Sequence, residues 1–358
     1  MGQTKATLAQ VAQAAGVSSA TVSRVIHHTG PVTEDIRVRI EAAIAELGYV
    51  PRKSAISEKV HAGVIAVLSG DLINPFFAEV IRGIQEEVDN YGLIFNLYNV
   101  TDYPQRQDLL AQKLCRRNLD GLILMGSQPF PALVEWQQKQ RLPMVVIDRD
   151  VDLPYVHCIK VDFENAFYRA TQHLINLNHT RIGYISSYSN SDISVARQRG
   201  VELALNEAGL SLLPQYCISV PAGSDVDGGF QAMNLLLDRP VEDCPTAVLA
   251  FNDVIALGAL RALCMRGVRV PQEFSIIGFD DIFSSLYTCP PLTTIGQPKF
   301  RLGVLAVQHL QMMRREPWSD EGACTILDSP LIVRESTGLA PRASQNMVED
   351  VQKYQTPL

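Results

Sequence analysis

Most side chains able to bind or transform a small molecule fall just after short apolar runs. Ser69 and Asp71 follow Val64–Leu68, and Asn74-Pro75-Phe76-Phe77 comes next. Ser127 follows Gly121–Met125, while Asp148 and Arg149 follow Met144–Ile147. Arg197 stands a short way past Ile182–Ser186. Asn252-Asp253 ends the run Ala247–Phe251, and Asp280-Asp281 ends Ser275–Phe279. Carboxylates and amides bond vicinal hydroxyls, and phenylalanine faces cover apolar ring edges. Such a set suits a small polyhydroxylated ligand. Asp, Asn and Ser in these places also act as helix caps and turn formers, and Asp253 and Asp281 are read that way.

Catalytic signatures are missing. The sequence has no phosphate-cradling G-x-x-x-x-G-K-[ST], no H-E-x-x-H and no G-x-S-x-G. Asp225-Val226-Asp227-Gly228 resembles the start of a calcium loop but lacks the third acidic position and the closing Glu. Asp280 and Asp281 have no third ligand nearby in sequence. The chain is therefore expected to be no enzyme, with no catalytic residue, no metal and no cofactor.

The apolar runs define the elements that must position these residues. Strand candidates Val64–Leu68, Ile94–Tyr98, Gly121–Met125 and Met144–Ile147 alternate with amphipathic helices near 76–91, 105–117 and 131–140. The rhythm returns with Ile182–Ser186, Cys217–Val220, Ala247–Phe251 and Ser275–Phe279, interleaved with helices near 193–208, 228–238 and 253–266. A βαβ series demands a parallel sheet covered on both faces. Two such series predict two α/β subdomains. Ligands of open α/β sheets sit at the carboxyl ends of the strands, so the cleft between the subdomains is the expected site.

The first fifty residues read differently. Leu8, Val11, Ala12 and Ala15 share a helical face behind the capping pair Thr7 and Gln10, and Gly16 breaks the helix. Ser18 caps a second helix with Val22, Val25 and Ile26 turned inward. Thr33 caps a third, with Ile36, Ile40, Ala43, Ile44 and Leu47 on one face. Two short helices around a tight turn form a helix-turn-helix pattern. Outward positions of the second helix are Ser19, Ala20, Ser23, Arg24, His27 and His28, with Thr21 beside them. Small residues let a helix approach base edges, and an Arg bonds guanine in bidentate fashion. Thr7, Ser18 and Thr33, at helix starts, are placed to hold phosphates.

Composition bounds these readings. The 358 residues, 47% hydrophobic and 19% charged, describe a globular chain of two to three domains. A net charge of −7 excludes binding nucleic acid through bulk positive charge. The asymmetry nevertheless favours a DNA-binding head, because residues 1–62 carry +2 and the remainder −9. Seven cysteines at scattered positions, with no C-x-x-C pair, argue against disulfides and a zinc site and fit a reducing cytosol. No apolar run suits a signal peptide or a membrane span, so a cytoplasmic protein without membrane contact is expected.

The stretches TLAQVAQAAGVSSATVSRVI, GVIAVLSGDLINPFF, LDGLILMGS, ARQRGVELAL, IGFDD and LTTIGQP resemble, in order and spacing, the lactose-repressor/galactose-repressor (LacI/GalR) family of bacterial transcription factors. The resemblance covers roughly residues 7–338. It implies a homodimer whose two heads bind half-sites of pseudo-palindromic, double-stranded operator DNA. It also implies a periplasmic-binding-protein-like core in which an effector in the cleft changes DNA affinity. Carried over by position, Ser19, Ala20 and Arg24 read bases. Asn74, Phe76, Asp148, Arg197, Asn252, Asp280 and Gln297 line the effector site.

The fold expected on this resemblance is α/β. Residues 1–50 are a three-helix head and 51–62 a hinge linker. Residues 63–340 are the core, with an N-subdomain of about 63–162 plus 293–322 and a C-subdomain of about 163–292 plus 323–340. Residues 341–358 are a disordered tail without the leucine heptads of a four-chain coiled coil. The chain departs from the family in two places. The hinge RKSAISEKVHAG is about four residues short and lacks the leucine that wedges into the minor groove, which leaves either Ile56 as its substitute or an altered kinked-DNA mechanism. Ser224 stands where many members place an aromatic ring, which favours a sugar over a flat nucleobase. The expected function is that of a DNA-binding regulator, a repressor, controlled by a sugar. The alternative is a cytosolic sugar-binding protein of the same core fold with a degenerate head.

Overall fold

The computed structural model describes residues 7–19, 21–22, 25, 34–47, 63–100, 104–187, 192–221, 226–315 and 322–341. The chain divides into two compact units, Met1–His61 and Ala62–Leu358. In the first, Thr7 caps α1 (Leu8–Ala15) through the expected capping box. The Thr7 amide donates to Gln10 Oε1 at 2.7 Å, and the Gln10 amide donates to Thr7 Oγ1 at 3.4 Å. Gly16 closes the helix at φ +66°, a conformation that favours glycine. Ser18 then accepts from the Thr21 amide at 3.2 Å, and Ser19, Thr21, Val22 and Val25 are helical. Helix α2 (Glu34–Leu47) completes the unit. Val11, Ala12, Ala15, Val22, Ile40 and Ala43 form its core, with Leu8, Val17, Val25, Ile36 and Ile44 packed around them. Leu47, expected to face inward, is exposed.

The second unit is built on two six-stranded sheets. The N-subdomain sheet contains β1 (Val64–Ser69), β2 (Ile94–Asn99), β3 (Gly121–Met125), β4 (Met144–Ile147), β5 (Val156–Val161) and β11 (Ala323–Leu327). Its order is β11-β5-β4-β3-β1-β2, and all its pairings are parallel. The C-subdomain sheet contains β6 (Ile182–Ser187), β7 (Cys217–Val220), β8 (Ala247–Ala250), β9 (Ser275–Asp280), β10 (Thr293–Gly296) and β12 (Leu331–Ile332). Its order is β12-β10-β9-β8-β6-β7, with only β12 antiparallel. Helices cover both faces, so β3, β4, β8 and β9 are buried along their whole length.

Among the described residues, four helices serve the N-subdomain: α3 (Pro75–Asn90), α4 (Pro104–Cys115), α5 (Pro131–Gln140) and, after the C-subdomain, α10 (Lys299–Arg315), while α6 (Phe163–Asn176) opens the C-subdomain and packs in its core. The C-subdomain adds α7 (Asp192–Glu207), α8 (Val226–Leu237) and α9 (Asp253–Met265). Helix α10 packs on α3 closely enough that a Cβ on Gly83 would lie 2.1 Å from the Phe300 carbonyl oxygen.

Three connections join the subdomains: β5 to α6, β10 to α10, and β11 to β12. The expected partition is corrected on this point. Thr293–Gly296 pairs with β9 in the C-subdomain, and Ala323–Leu327 pairs with β5 in the N-subdomain. Backbone pairing fixes these memberships, and the apolar pattern of a short strand does not reveal its neighbour. The cysteine expectation is corrected as well. Cys158 and Cys324 form a disulfide, while Cys115, Cys217, Cys244, Cys264 and Cys289 are free. Partners 166 residues apart in sequence become neighbours only through the parallel pairing of β5 with β11.

Candidate functional site

In each sheet the strand order reverses direction beside the first strand of the series: between β1 and β3 in one, between β6 and β8 in the other. At such switch points the flanking loops diverge and leave a crevice at the carboxyl ends. Both crevices open on one cleft of about 550 Å³. Asn74, Phe76, Ser127, Asp148, Arg149, Arg197, Asn252, Asp280 and Gln297, the whole set expected from sequence, line it.

The capping role and the cleft role coexist. Asn74 Oδ1 accepts from the Phe76 amide at 3.0 Å at the start of α3, while its Nδ2 donates across the cleft to Asp280 Oδ2 at 3.2 Å. Asn252 Oδ1 likewise accepts from the Ile255 amide at 2.9 Å to cap α9. In both residues the oxygen serves the helix, which leaves the NH2 group for a ligand or a neighbour.

Asp280 is the hub. Gln297 Nε2 donates to its Oδ1 at 2.8 Å, and Lys299 Nζ donates to its carbonyl at 2.7 Å. Its backbone φ is +115°, and Asp148 and Asp281 sit at +59° and +53°. Three non-glycine residues in left-handed backbone at strand ends are strain held in place by the surrounding fold, a feature common at binding sites. Arg197, buried on α7, donates to the Phe251 carbonyl. Its guanidinium carbon lies 4.0 Å from the ring centroids of both Phe251 and Phe279. These rings fix the guanidinium by cation–π contact and keep it dry.

Burial dominates the electrostatics. It pushes the Asp148 carboxyl up to about 7, with Asp280 adding to the rise while Arg197 and Arg149 oppose it. Burial also raises Asp280, against the pull of Arg197 and the hydrogen bonds from Gln297 and Asn74. Among the described residues, Asp148 Oδ1, Arg197 Nε and Gln297 Oε1 are buried with no hydrogen-bond partner. One acceptor on a carboxyl, one on an amide and one guanidinium donor match the hydroxyls of a small polar ligand.

Sequence reasoning did not pick out Gln107, Gln128, Phe130, Ile193 and Phe251 as site residues, although all line the cleft. Gln128 and Phe130 lie within three residues of Ser127, so a wider window after β3 would have found them. Gln107 and Ile193 lie in the first turns of helices, where spacing alone does not tell a lining residue from a surface one. Asp253 is structural but not the cap expected of it, since Asn252 caps α9: Asp253 is fully buried and accepts from Ser285 Oγ at 2.7 Å and Thr294 Oγ1 at 2.6 Å. Asp281 pairs with Arg334 at 2.6 Å.

In the first unit, Ser18 and Ser19 are exposed at the start of the second helix, Thr21 is half-buried, and Thr7 is exposed at its cap. Ala20, Ser23, Arg24, His27, Thr33, Ile56 and Ser224 lie outside the described residues, as do the hinge linker and residues 342–358. Among the described residues, no helix is long and apolar enough to cross a membrane.

A small helical unit with a helix-turn-helix start, joined to a core of two parallel-sheet subdomains around a polar cleft, defines the class of ligand-responsive DNA-binding regulators. Known proteins agree with this reading. Residues 7–52 match "Bacterial regulatory proteins, lacI family", and residues 171–337 match "Periplasmic binding protein-like domain". The chain is 34% identical to the HTH-type transcriptional repressor CytR of Escherichia coli K12 over 345 residues, 95% of this chain and 98% of that one. It is 37% identical to the repressor PurR of Haemophilus influenzae, over 88% of this chain and 93% of that one. A CelR–cellobiose complex superposes with TM-score 0.69 at 29% identity, covering 93% of this chain and 100% of the other. A LacI-family regulator of Enterococcus faecium with bound ribose gives 0.69 at 31% identity, over 77% and 99%. This chain belongs to the LacI family of bacterial transcriptional regulators.

Proposed function

We propose that the protein is an operator-binding transcriptional repressor whose DNA affinity is set by a small polar ligand, a sugar, held in the cleft between the subdomains. The observation that carries the reading is the convergence of Asn74, Ser127 and Asp148 from one subdomain with Arg197, Asn252 and Asp280 from the other on one cleft. A ligand bonded to both walls favours one separation of the subdomains over others, and that differential binding is what couples the cleft to DNA affinity. The chemistry is binding rather than turnover.

The protein acts in the cytoplasm as a homodimer. Exposed Ile73 and Leu97 in the N-subdomain and exposed Phe283 and Tyr287 in the C-subdomain supply apolar surface for a second copy. A lac repressor dimer bound to operator superposes with TM-score 0.66 at 25% identity over 94% of this chain and 100% of the other. Ser18, Ser19, Ala20, Thr21, Ser23, Arg24 and His27 form the base- and phosphate-reading surface of each head, with Thr7 and Thr33 on phosphates and Ile56 as the minor-groove wedge. Phe76, Arg149 and Gln297 complete the sugar site.

Selection of bound sequences from a random DNA library, with affinities read by fluorescence anisotropy, tests this reading. The expected outcome is a two-fold symmetric site bound far more tightly than random DNA, and an affinity that changes with one member of a sugar panel. A selection that enriches nothing, with or without the panel, would overturn it.

A further inference from the structure

Two of the three connections between the subdomains start from neighbouring strands, and each strand carries a cysteine at the same level. β5 runs into the connection to α6, and β11 runs into the connection to β12. The strands pair in parallel with Cys324 opposite Cys158, their Cα atoms 4.4 Å apart, within the span a disulfide needs. β11 is the edge of the sheet and β5 is its sole neighbour there. Cys158 is buried and Cys324 exposed. The Asp150 carboxylate lies within 4.8 Å of the sulfurs and is itself paired with Lys160.

We propose that Cys158 and Cys324 are a reversible thiol–disulfide pair that latches two of the three connections and so makes subdomain movement redox-sensitive. The consequence for DNA binding rests on the effector reading above, whereas the chemistry does not. The oxidant is a low-molecular-weight disulfide. The exposed Cys324 thiolate attacks one sulfur of the oxidant, forming a mixed disulfide and expelling one thiolate. The Cys158 thiolate then attacks the Cys324 sulfur and expels the second. The pair loses two electrons and two protons, and the oxidant becomes two thiols. Excess thiol reverses both steps. The other five cysteines are free and take no part.

The bond acts where pairing is weakest. An edge strand with backbone partners on one side opens more readily than a central one. A covalent link to β5 removes that freedom just ahead of both connections. The link also closes a loop of 166 residues, which costs the unfolded chain entropy and so raises stability on oxidation. A reducing cytosol keeps the latch open, and oxidative stress closes it.

Equilibrating the full-length protein with defined ratios of reduced and oxidised glutathione tests the proposal. Free thiols are alkylated and located by peptide mass spectrometry, and amide hydrogen exchange is followed in the two end states. Cys158 and Cys324 are expected to lose alkylation together without a glutathione adduct, while any loss at the other five is accompanied by one glutathione per thiol. Exchange in β11 and residues 328–332 is expected to slow at least tenfold on oxidation, with the third connection, read at Gln297 and Lys299, unchanged. Cys324→Ser should leave Cys158 alkylatable at every ratio once mixed disulfides are accounted for, and make β11 exchange indifferent to oxidant. Both thiols remaining reactive in fully oxidised glutathione would overturn the proposal. So would a disulfide that forms without slowing exchange, or a stoichiometric zinc that blocks both thiols. Neither DNA nor sugar enters the experiment, so its outcome is independent of the effector reading.

Discussion

Asp280 touches both walls of the cleft and the segment between them. Replacing it by Asn keeps the size but removes the charge and turns one acceptor into a donor that faces Asn74 Nδ2 or Gln297 Nε2. The hydrogen-bond loss with a charged partner is ~1.5–3 kcal/mol, so Asp280→Asn should weaken the sugar response at least tenfold. Operator binding without sugar should be unchanged, because the head holds none of these groups. Anisotropy titrations with and without the sugar give both numbers. Asp148 carries a second prediction. Its carboxyl titrates near 7 in the folded chain, well above its usual value near 3.8, because burial disfavours the charge. Between those values the folded state binds more protons than the unfolded one, so this group's contribution falls as pH rises through the window and is lost above about 7. Asp253 is raised to about 7 in the same way, so Asp148→Asn should remove only part of the effect. Thermal melts from pH 5 to 8 should show wild type losing stability toward pH 8 and the variant losing less, by a margin on the order of 1 kcal/mol or more. A parallel pair of curves would place the Asp148 titration elsewhere. Both residues were legible in the sequence because a carboxylate directly after a buried strand has few places to point. Gln107 and Ile193 were not, because the first turn of a helix offers no such constraint.

Elements were legible where the apolar pattern was continuous and silent where it was mixed. The runs of β1, β3, β4, β6, β8 and β9 stand out because strands covered on both faces admit almost no polar residue. β5 escaped notice because its sequence, VHCIKV, interrupts the pattern with His157 and Lys160. Both faces are covered, Val156 lying in one core cluster and Ile159 in another, but His157 bonds Thr325 Oγ1 and Lys160 pairs with Asp150, so one polar residue breaks the run on each face. β10 is TTIG, and its two threonines are fully buried through bonds to Asp253 and Thr337 rather than through apolarity. α6 and α10, though amphipathic, were not picked out either. Helix pairing was also invisible, since it depends on glycines that meet only in the fold. Gly258 on α9 is the tightest case: a Cβ there would lie 1.8 Å from the Val226 carbonyl oxygen and 2.7 Å from the Phe230 amide. Backbone cannot yield as a side-chain tip can, so Gly258→Ala should force α8 and α9 apart and destabilise the core by ~1–3 kcal/mol despite the better helix propensity of alanine. Urea unfolding of the isolated variant measures this, and an unchanged midpoint would mean that the helices separate freely.

At the scale of the whole molecule, charge decides how the protein searches DNA. Residues 1–50 carry four basic and four acidic side chains, and the rest of the chain is acidic, so neither the head nor the core supplies much attraction to phosphate. The short linker is the exception: Arg52, Lys53 and Lys59 stand there against Glu58 alone. Phosphate contacts from Lys and Arg release counterions, and each lowers the slope of log K against log salt by ~0.9 per chain. If the linker holds the phosphate contacts, the double substitution Arg52→Ala with Lys53→Ala should flatten that slope by ~2 per chain, and by about twice that for a dimer. Affinity should fall about equally for operator and random DNA, because phosphate contacts position the protein and base contacts discriminate. The selected consensus should therefore survive the substitution unchanged. Arg24→Ala should do the reverse: it should relax the preference at one base in each half-site and cost ~1–3 kcal/mol of specific binding, with the salt slope nearly unaltered. Anisotropy at four salt concentrations, run on both variants with operator and random duplexes, separates the two roles. An unchanged slope in the linker variant would move the phosphate contacts to helix starts such as Thr7 and Ser18, where backbone amides rather than cations meet the DNA.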